Sequence, residues 1–184
     1  MSIRDFINRH SKKLTIGDYE YTRMERTSHV YSDPDMYDTF KYWSVRVIDN
    51  TKESYGPIQN EIGGIPVTSL YQTFKDCTNL IEAPNLSNLT YVESMDSTFE
   101  NCSSLKKPPV IPESIQAMNY TFKNCTALEE QPIIPKLNRN WAPNEKGIFD
   151  GCFTEKTTVD KVLSDNEQLS VPTTAEENNS LDEH

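Results

Sequence analysis

The sequence is poor in the signals that announce chemistry. It has three histidines, His10, His29 and His184, and they share no motif. Neither a histidine-rich metal site nor a Ser-His-Asp or Cys-His constellation is drawn from them. The four cysteines include no Cys-x-x-Cys pair, which removes the usual spacing of a zinc cluster. Asp33, Asp35 and Asp38 lie close together but lack the glycine and the distal glutamate of a calcium loop, so they read as a solvated loop. No apolar run reaches the roughly 20 residues that a membrane-spanning helix needs. The first ten residues, Met1–His10, lack the unbroken hydrophobic core of a signal peptide. Basic residues are outnumbered, 18 against 28 acids, for a net charge of −10; this argues against direct phosphate contact with nucleic acid or an anionic membrane. Apolar residues make up only 35% of the chain, a shortage that a thin, elongated core tolerates better than a thick one.

What the chain has instead is repetition. Thr73-Phe74-Lys75-Asp76-Cys77-Thr78-Asn79-Leu80 returns as Thr98-Phe99-Glu100-Asn101-Cys102-Ser103-Ser104-Leu105 and as Thr121-Phe122-Lys123-Asn124-Cys125-Thr126-Ala127-Leu128. A weaker copy is Ile148-Phe149-Asp150-Gly151-Cys152. Successive cysteines are 25, 23 and 27 positions apart. Self-similarity at such a period is the mark of stacked repeats. Other columns keep step with the phenylalanine: Val67, Val92 and Ile115 seven residues before it, and Leu70, Met95 and Met118 four before it. Pro84, Pro109 and Pro132 follow each repeat leucine by four. One unit cannot bury so few apolar positions alone, but stacked copies turn each column into a continuous ladder. All four cysteines share one column, as buried reduced thiols do in a small-residue ladder.

These columns predict a stack with a rise of about 4.8 Å per coil, the spacing of paired strands. Strands are expected at Leu80–Leu86, Leu105–Pro112 and Leu128–Pro135, kept short by prolines that cannot donate to a ladder. Met95–Asn101 and Met118–Asn124 read as a helical or 3₁₀ turn closing each coil. The expected class is α/β: a short solenoid of about three to four coils.

The hydrophobic-x-x-Met-x-x-Thr-Phe-x-x-Cys-x-x-Leu unit, with Ile-Pro or Val-Ile-Pro nearby, resembles the BspA-like leucine-rich repeats found in surface and secreted proteins of bacteria, in some protists and in phages of gut bacteria. The resemblance covers about Val67–Cys152. It implies an interaction scaffold without enzymatic activity or cofactor, and it carries over structural positions alone: Phe74, Cys77, Leu80, Phe99, Cys102, Leu105, Phe122, Cys125, Leu128, Phe149 and Cys152. The last unit departs from the pattern, with Glu145 in place of Met and an insert around Trp141, and reads as a terminal cap.

Outside the repeats, residues 1–52 form an expected N-terminal cap. A short amphipathic helix is predicted over 1–12, followed by strands at Leu14–Tyr21 and Tyr42–Ile48, where Trp43, Val45 and Val47 alternate with polar residues. Tyr19, Tyr21, Tyr31, Tyr37 and Tyr42 crowd this region. They either cover the open end of the stack or offer a recognition surface. Asn50–Lys52 and Gly63-Gly64 read as turns, and Tyr55, Ile58 and Ile62 fit a degenerate first coil. The repeats occupy 53–153. Residues 154–184 hold eight acids against two lysines and read as a flexible, largely disordered acidic tail, with Val159, Val162 and Leu163 able to form one short helix. Sequons at Asn88, Asn101, Asn119, Asn124 and Asn178 carry no weight, two of them being the repeat's own Asn-Cys-Ser/Thr.

The residues after the repeat leucines, Ile81-Glu82, Lys106-Lys107 and Glu129-Glu130, predict a ribbon of alternating sign. It is either a solvated face or a candidate partner surface. The function expected is a non-enzymatic module that binds a protein or a glycan through the side of the stack, with no direct contact to nucleic acid or membrane. The alternatives are a phage-encoded acidic inhibitor of a host nucleic-acid-binding defence system and a virion or tail component. The expected location is cytoplasmic or phage-particle-associated.

Overall fold

The structure, a computed structural model, describes residues 12–30, 33–135 and 146–152. The chain divides into two compact units, Met1–Phe153 and Thr154–His184, and every described residue belongs to the first. The helix expected over 1–12 falls, but for Lys12, outside the described residues. So do Trp141, Glu145, Val159–Leu163 and the acidic tail.

Five strands form one sheet in the order β1-β2-β3-β5-β4: β1 Lys13–Ile16, β2 Tyr19–Val30, β3 Asp33–Val47, β4 Glu61–Ile62 and β5 Ile65–Ser69. The single strand expected over Leu14–Tyr21 is instead a hairpin. Gly17, at φ +58°, reverses the chain beside Asp18, so that Ile16 pairs with Tyr19. A glycine takes that left-handed conformation without the clash a Cβ would cause. Gly63 and Gly64, both at positive φ, make the tight turn between β4 and β5. Strand alternation then sorts the side chains: Tyr19, Tyr21, Trp43 and Val45 are buried.

Strand β3 runs parallel to β5, pairing Trp43 with Val67 and Ser44 with Ser69. From there the pairing passes into the repeats, with Ser69 bridged to Ser94 and Ser94 to Ala117, both parallel. The rungs of the ladder therefore lie five residues before each phenylalanine. Around Leu80–Leu86, Leu105–Pro112 and Leu128–Pro135, where strands are expected, the pairing among described residues is the isolated Glu82–Lys107 bridge. Prolines explain the loss: at six positions in those segments there is no N–H to donate. Small Ser69, Ser94 and Ala117 do not interrupt the backbone in this way.

After each rung the chain makes consecutive turns closed by hydrogen bonds between residues three apart. In the second repeat the N–H groups of Thr98, Glu100, Cys102 and Leu105 donate to the carbonyls of Met95, Ser97, Phe99 and Cys102. The described residues are strands and turns with no helix, so the helical part of the expected α/β class is absent from them, and the backbone shows why these turns do not become one. Two residues before and two after each phenylalanine, φ is positive: Gln72 and Asp76, Ser97 and Asn101, Tyr120 and Asn124, then Gly147 and Gly151. A left-handed residue at each of these positions stops right-handed propagation. The weak fourth copy keeps the same two positions and fills both with glycine.

Between repeats the hydrogen bonds run along the stack. Phe74, Phe99 and Phe122 donate N–H to Thr98, Thr121 and Ile148, and Asp76, Asn101 and Asn124 donate to Glu100, Lys123 and Asp150. The phenylalanine rings lie face over face: Phe74–Phe99 at 5.1 Å, Phe99–Phe122 at 5.5 Å and Phe122–Phe149 at 5.8 Å, within 7° of parallel. Val67, Val92 and Ile115 form a second buried column, and Leu70, Met95 and Met118 a third.

Candidate functional site

The repeat's polar columns are consumed internally. Thr73, Thr98 and Thr121 each turn a buried hydroxyl onto a carbonyl of the preceding coil or strand, at Val45, Leu70 and Met95, over 2.7–2.9 Å. The thiols of Cys102 and Cys125 point at the carbonyls of Phe74 and Phe99, both at 3.1 Å, and Cys152 points at Phe122. All four cysteines are free and buried, and burial pushes the Cys77 and Cys102 thiols above their ordinary range. Cys102, Cys125 and Cys152 are packing groups and weak donors to these carbonyls. Asn101 donates to Asp76 at 2.6 Å and Asn124 to Asn101 at 2.8 Å, a side-chain ladder on the left-handed positions. Of the eleven ladder residues named from the sequence, ten are buried, and Phe149 is partly buried against the core.

At the Phe74 end of the ring column the neighbours are tyrosines. Tyr19 meets the Phe74 ring edge-on at 6.1 Å, and Tyr55 tilts against it at 5.4 Å. Their hydroxyls donate to loop carbonyls, Tyr19 to Gly56 at 2.6 Å and Tyr55 to Asp49 at 2.7 Å, while Tyr21 accepts from the Gln59 N–H at 3.0 Å. Burial pushes the Tyr19 and Tyr55 hydroxyls far above the usual phenol range. Of the tyrosines that crowd this region, Tyr19 and Tyr21 are buried. Tyr31 and the side chain of Tyr37 lie outside the described residues, as do His10, His184 and the side chains of His29, Asp33, Asp35 and Asp38.

The predicted ribbon is on the surface. Ile81 is 42% exposed, and Glu82, Lys106, Lys107, Glu129 and Glu130 are exposed. Backbone bonds hold the strip together, Lys106 N–H to Ile81 O at 3.2 Å and Glu129 N–H to Lys106 O at 3.0 Å. Two features were not anticipated from the sequence. One is a charge ladder directly after the phenylalanines, where Lys75 reaches Glu100 at 2.8 Å and Lys123 reaches it at 3.7 Å. Its signal was the alternation Lys75, Glu100, Lys123, Asp150.

The second is an open groove of about 420 Å³ on the outer face of the parallel ladder. Its floor is made by the neighbours of the buried Val67–Val92–Ile115 column, which alternation turns outward. Pro66, Tyr91 and Ser114 form one row, and Thr68, Glu93 and Gln116 the other; Phe40, Lys41 and Tyr42 of β3 supply a wall. The floor is braced from behind. Thr68 O accepts from both Glu93 and Ser94, and Glu93 O from both Gln116 and Ala117. Phe40 and Tyr91 remain 49% and 46% exposed. Tyr91 could have been singled out from the sequence only by knowing which column is a strand.

Among the described residues, no three His, Cys, Asp or Glu side chains gather as a metal site, and no helix is long and apolar enough to cross a membrane. No family model and no curated protein matches the chain. Among solved structures, the crystal structure of a leucine-rich-repeat protein of T. pallidum is similar over 61% of this chain, with 15% identity and a TM-score of 0.40. The match spans about half of that protein, 48% of its length. A likeness this distant carries no argument about function.

Proposed function

We propose that the chain is a non-enzymatic interaction module: a short solenoid of three to four BspA-like leucine-rich coils (53–153), capped by residues 1–52 and followed by the acidic segment 154–184. It binds a protein or a glycan through the side of the stack, without direct contact to nucleic acid or membrane. The observation that carries this reading is the groove on the ladder's outer face. The turns, thiols, threonines and asparagines of each repeat are occupied in holding the stack, whereas the groove leaves aromatic rings half open to water, an arrangement that favours a ligand.

The test is retention of ligands by the immobilised full chain, from a lysate and from a glycan array, beside a Phe40→Ala/Tyr91→Ala double variant. The expected result is a ligand held by the parent and lost by the variant. Equal retention by both, or none by either, counts against the proposal. Binding to a basic nucleic-acid enzyme that collapses between about 50 and 200 mM salt would favour the acidic-inhibitor alternative.

A further inference from the structure

We propose that the groove takes a ring of a neutral saccharide. The inference rests on the interaction-module reading and narrows its partner to one chemistry. A pyranose has a face of C–H bonds and a rim of hydroxyls, so it needs a flat apolar surface beside polar groups that still have bonding capacity. Phe40 and Tyr91 supply the rings, each about half exposed on the groove. Around them, the hydroxyls of Tyr42, Thr68 and Tyr91 and the amide of Gln116 engage no hydrogen-bond partner among the described residues. This contrasts with the buried Thr73, Thr98 and Thr121, whose hydroxyls are all engaged with carbonyls.

Charge and backbone narrow the class. Lys41 sits 4.0 Å from Glu25, an opposite charge, and the other charged side chain of the groove, Glu93, is acidic. Among the described residues, that leaves the groove no cluster of cations to hold a sulfated or carboxylated sugar. The carbonyls of Thr68 and Glu93 already accept two N–H groups each, so an extended peptide would find little open backbone to pair with on this floor. Side-chain recognition of a polyhydroxylated ring needs no such backbone. The groove, about 420 Å³, falls within the roughly 300–1,000 Å³ of small-ligand sites.

The test is saturation-transfer NMR on the full chain with neutral gluco-, galacto-, manno- and N-acetylglucosamine oligosaccharides, and with sialylated and sulfated ones. One neutral class is expected to bind. Tyr91→Ala and Phe40→Ala should each weaken it about tenfold, the loss of one stacking contact, with the chain still folding cooperatively because both rings are about half exposed. Lys107→Ser, on the ribbon, should leave binding as it was. Preference for an acidic sugar, or neutral binding indifferent to Tyr91→Ala, overturns the inference. If no saccharide binds but a polypeptide is retained in a Tyr91-dependent way, the saccharide reading fails and the interaction module stands. If the groove variants alter nothing, both fail.

Discussion

The N-terminal sheet with its following loop and the repeats both bury stacked or packed aromatic rings, but with different residues for a physical reason. Inside the stack, Phe99 has a ring above it at 5.1 Å and one below at 5.5 Å, both parallel. No polar atom could be satisfied there, so the column is phenylalanine. Beside the N-terminal sheet the rings of Tyr19 and Tyr55 meet Phe74 at steep angles, and their hydroxyls reach the carbonyls of Gly56 and Asp49. The repeats satisfy buried polar groups by translation; the N-terminal region does it with side chains chosen one at a time.

The largest effect is expected at Phe99. Its replacement by alanine removes a fully buried ring stacked on both faces, and denaturant unfolding should show a loss of about 3–5 kcal/mol. The reciprocal exchanges between phenylalanine and tyrosine differ in cost. Phe99→Tyr places a hydroxyl in the stack with no partner and should cost about 1–3 kcal/mol. Tyr19→Phe removes the 2.6 Å bond to Gly56 and should cost only about 0.5–1.5 kcal/mol. If the two exchanges cost the same, the distinction drawn between the regions is wrong.

The smallest effect is electrostatic. Burial raises the Glu100 carboxyl, but bonds from Lys75 and Ser97 and the charges of Lys75 and Lys123 outweigh it, leaving the group below the usual carboxylate range. A carboxyl with a depressed folded pKa stabilises above its unfolded value and loses that contribution as pH falls through the folded one. Stability should therefore decline on acidification below the ordinary glutamate value of about 4.3. Glu100→Gln should flatten that part of the profile by under about 1 kcal/mol, read from melts between about pH 3 and 6.

The columns of Phe, Cys and Leu were legible because a buried position tolerates few residue types, so every copy repeats the same letter. The rungs were not. Ser69, Ser94 and Ala117 carry no strand signature, while the segments rich in Ile, Val and Leu after them are broken by proline and make one isolated bridge. The left-handed positions were half visible. Asp76, Asn101, Asn124 and Gly151 are residue types that take positive φ, but Gln72, Ser97 and Tyr120 are not typical of it. The hairpin inside Leu14–Tyr21 turned on Gly17-Asp18, which a strand pattern read on both sides of it concealed.

The recurrence of the unit and the identity of its hidden side chains are written in the order of residues, because burial constrains each position locally. Where the sheet runs, and what its outer face presents, came with the folded chain. That depended on β3, well before β5 in the chain, pairing parallel to it and setting Phe40 and Tyr42 beside Thr68 and Tyr91. Such a contact is governed by long-range pairing, which no local pattern of hydrophobic and polar residues specifies.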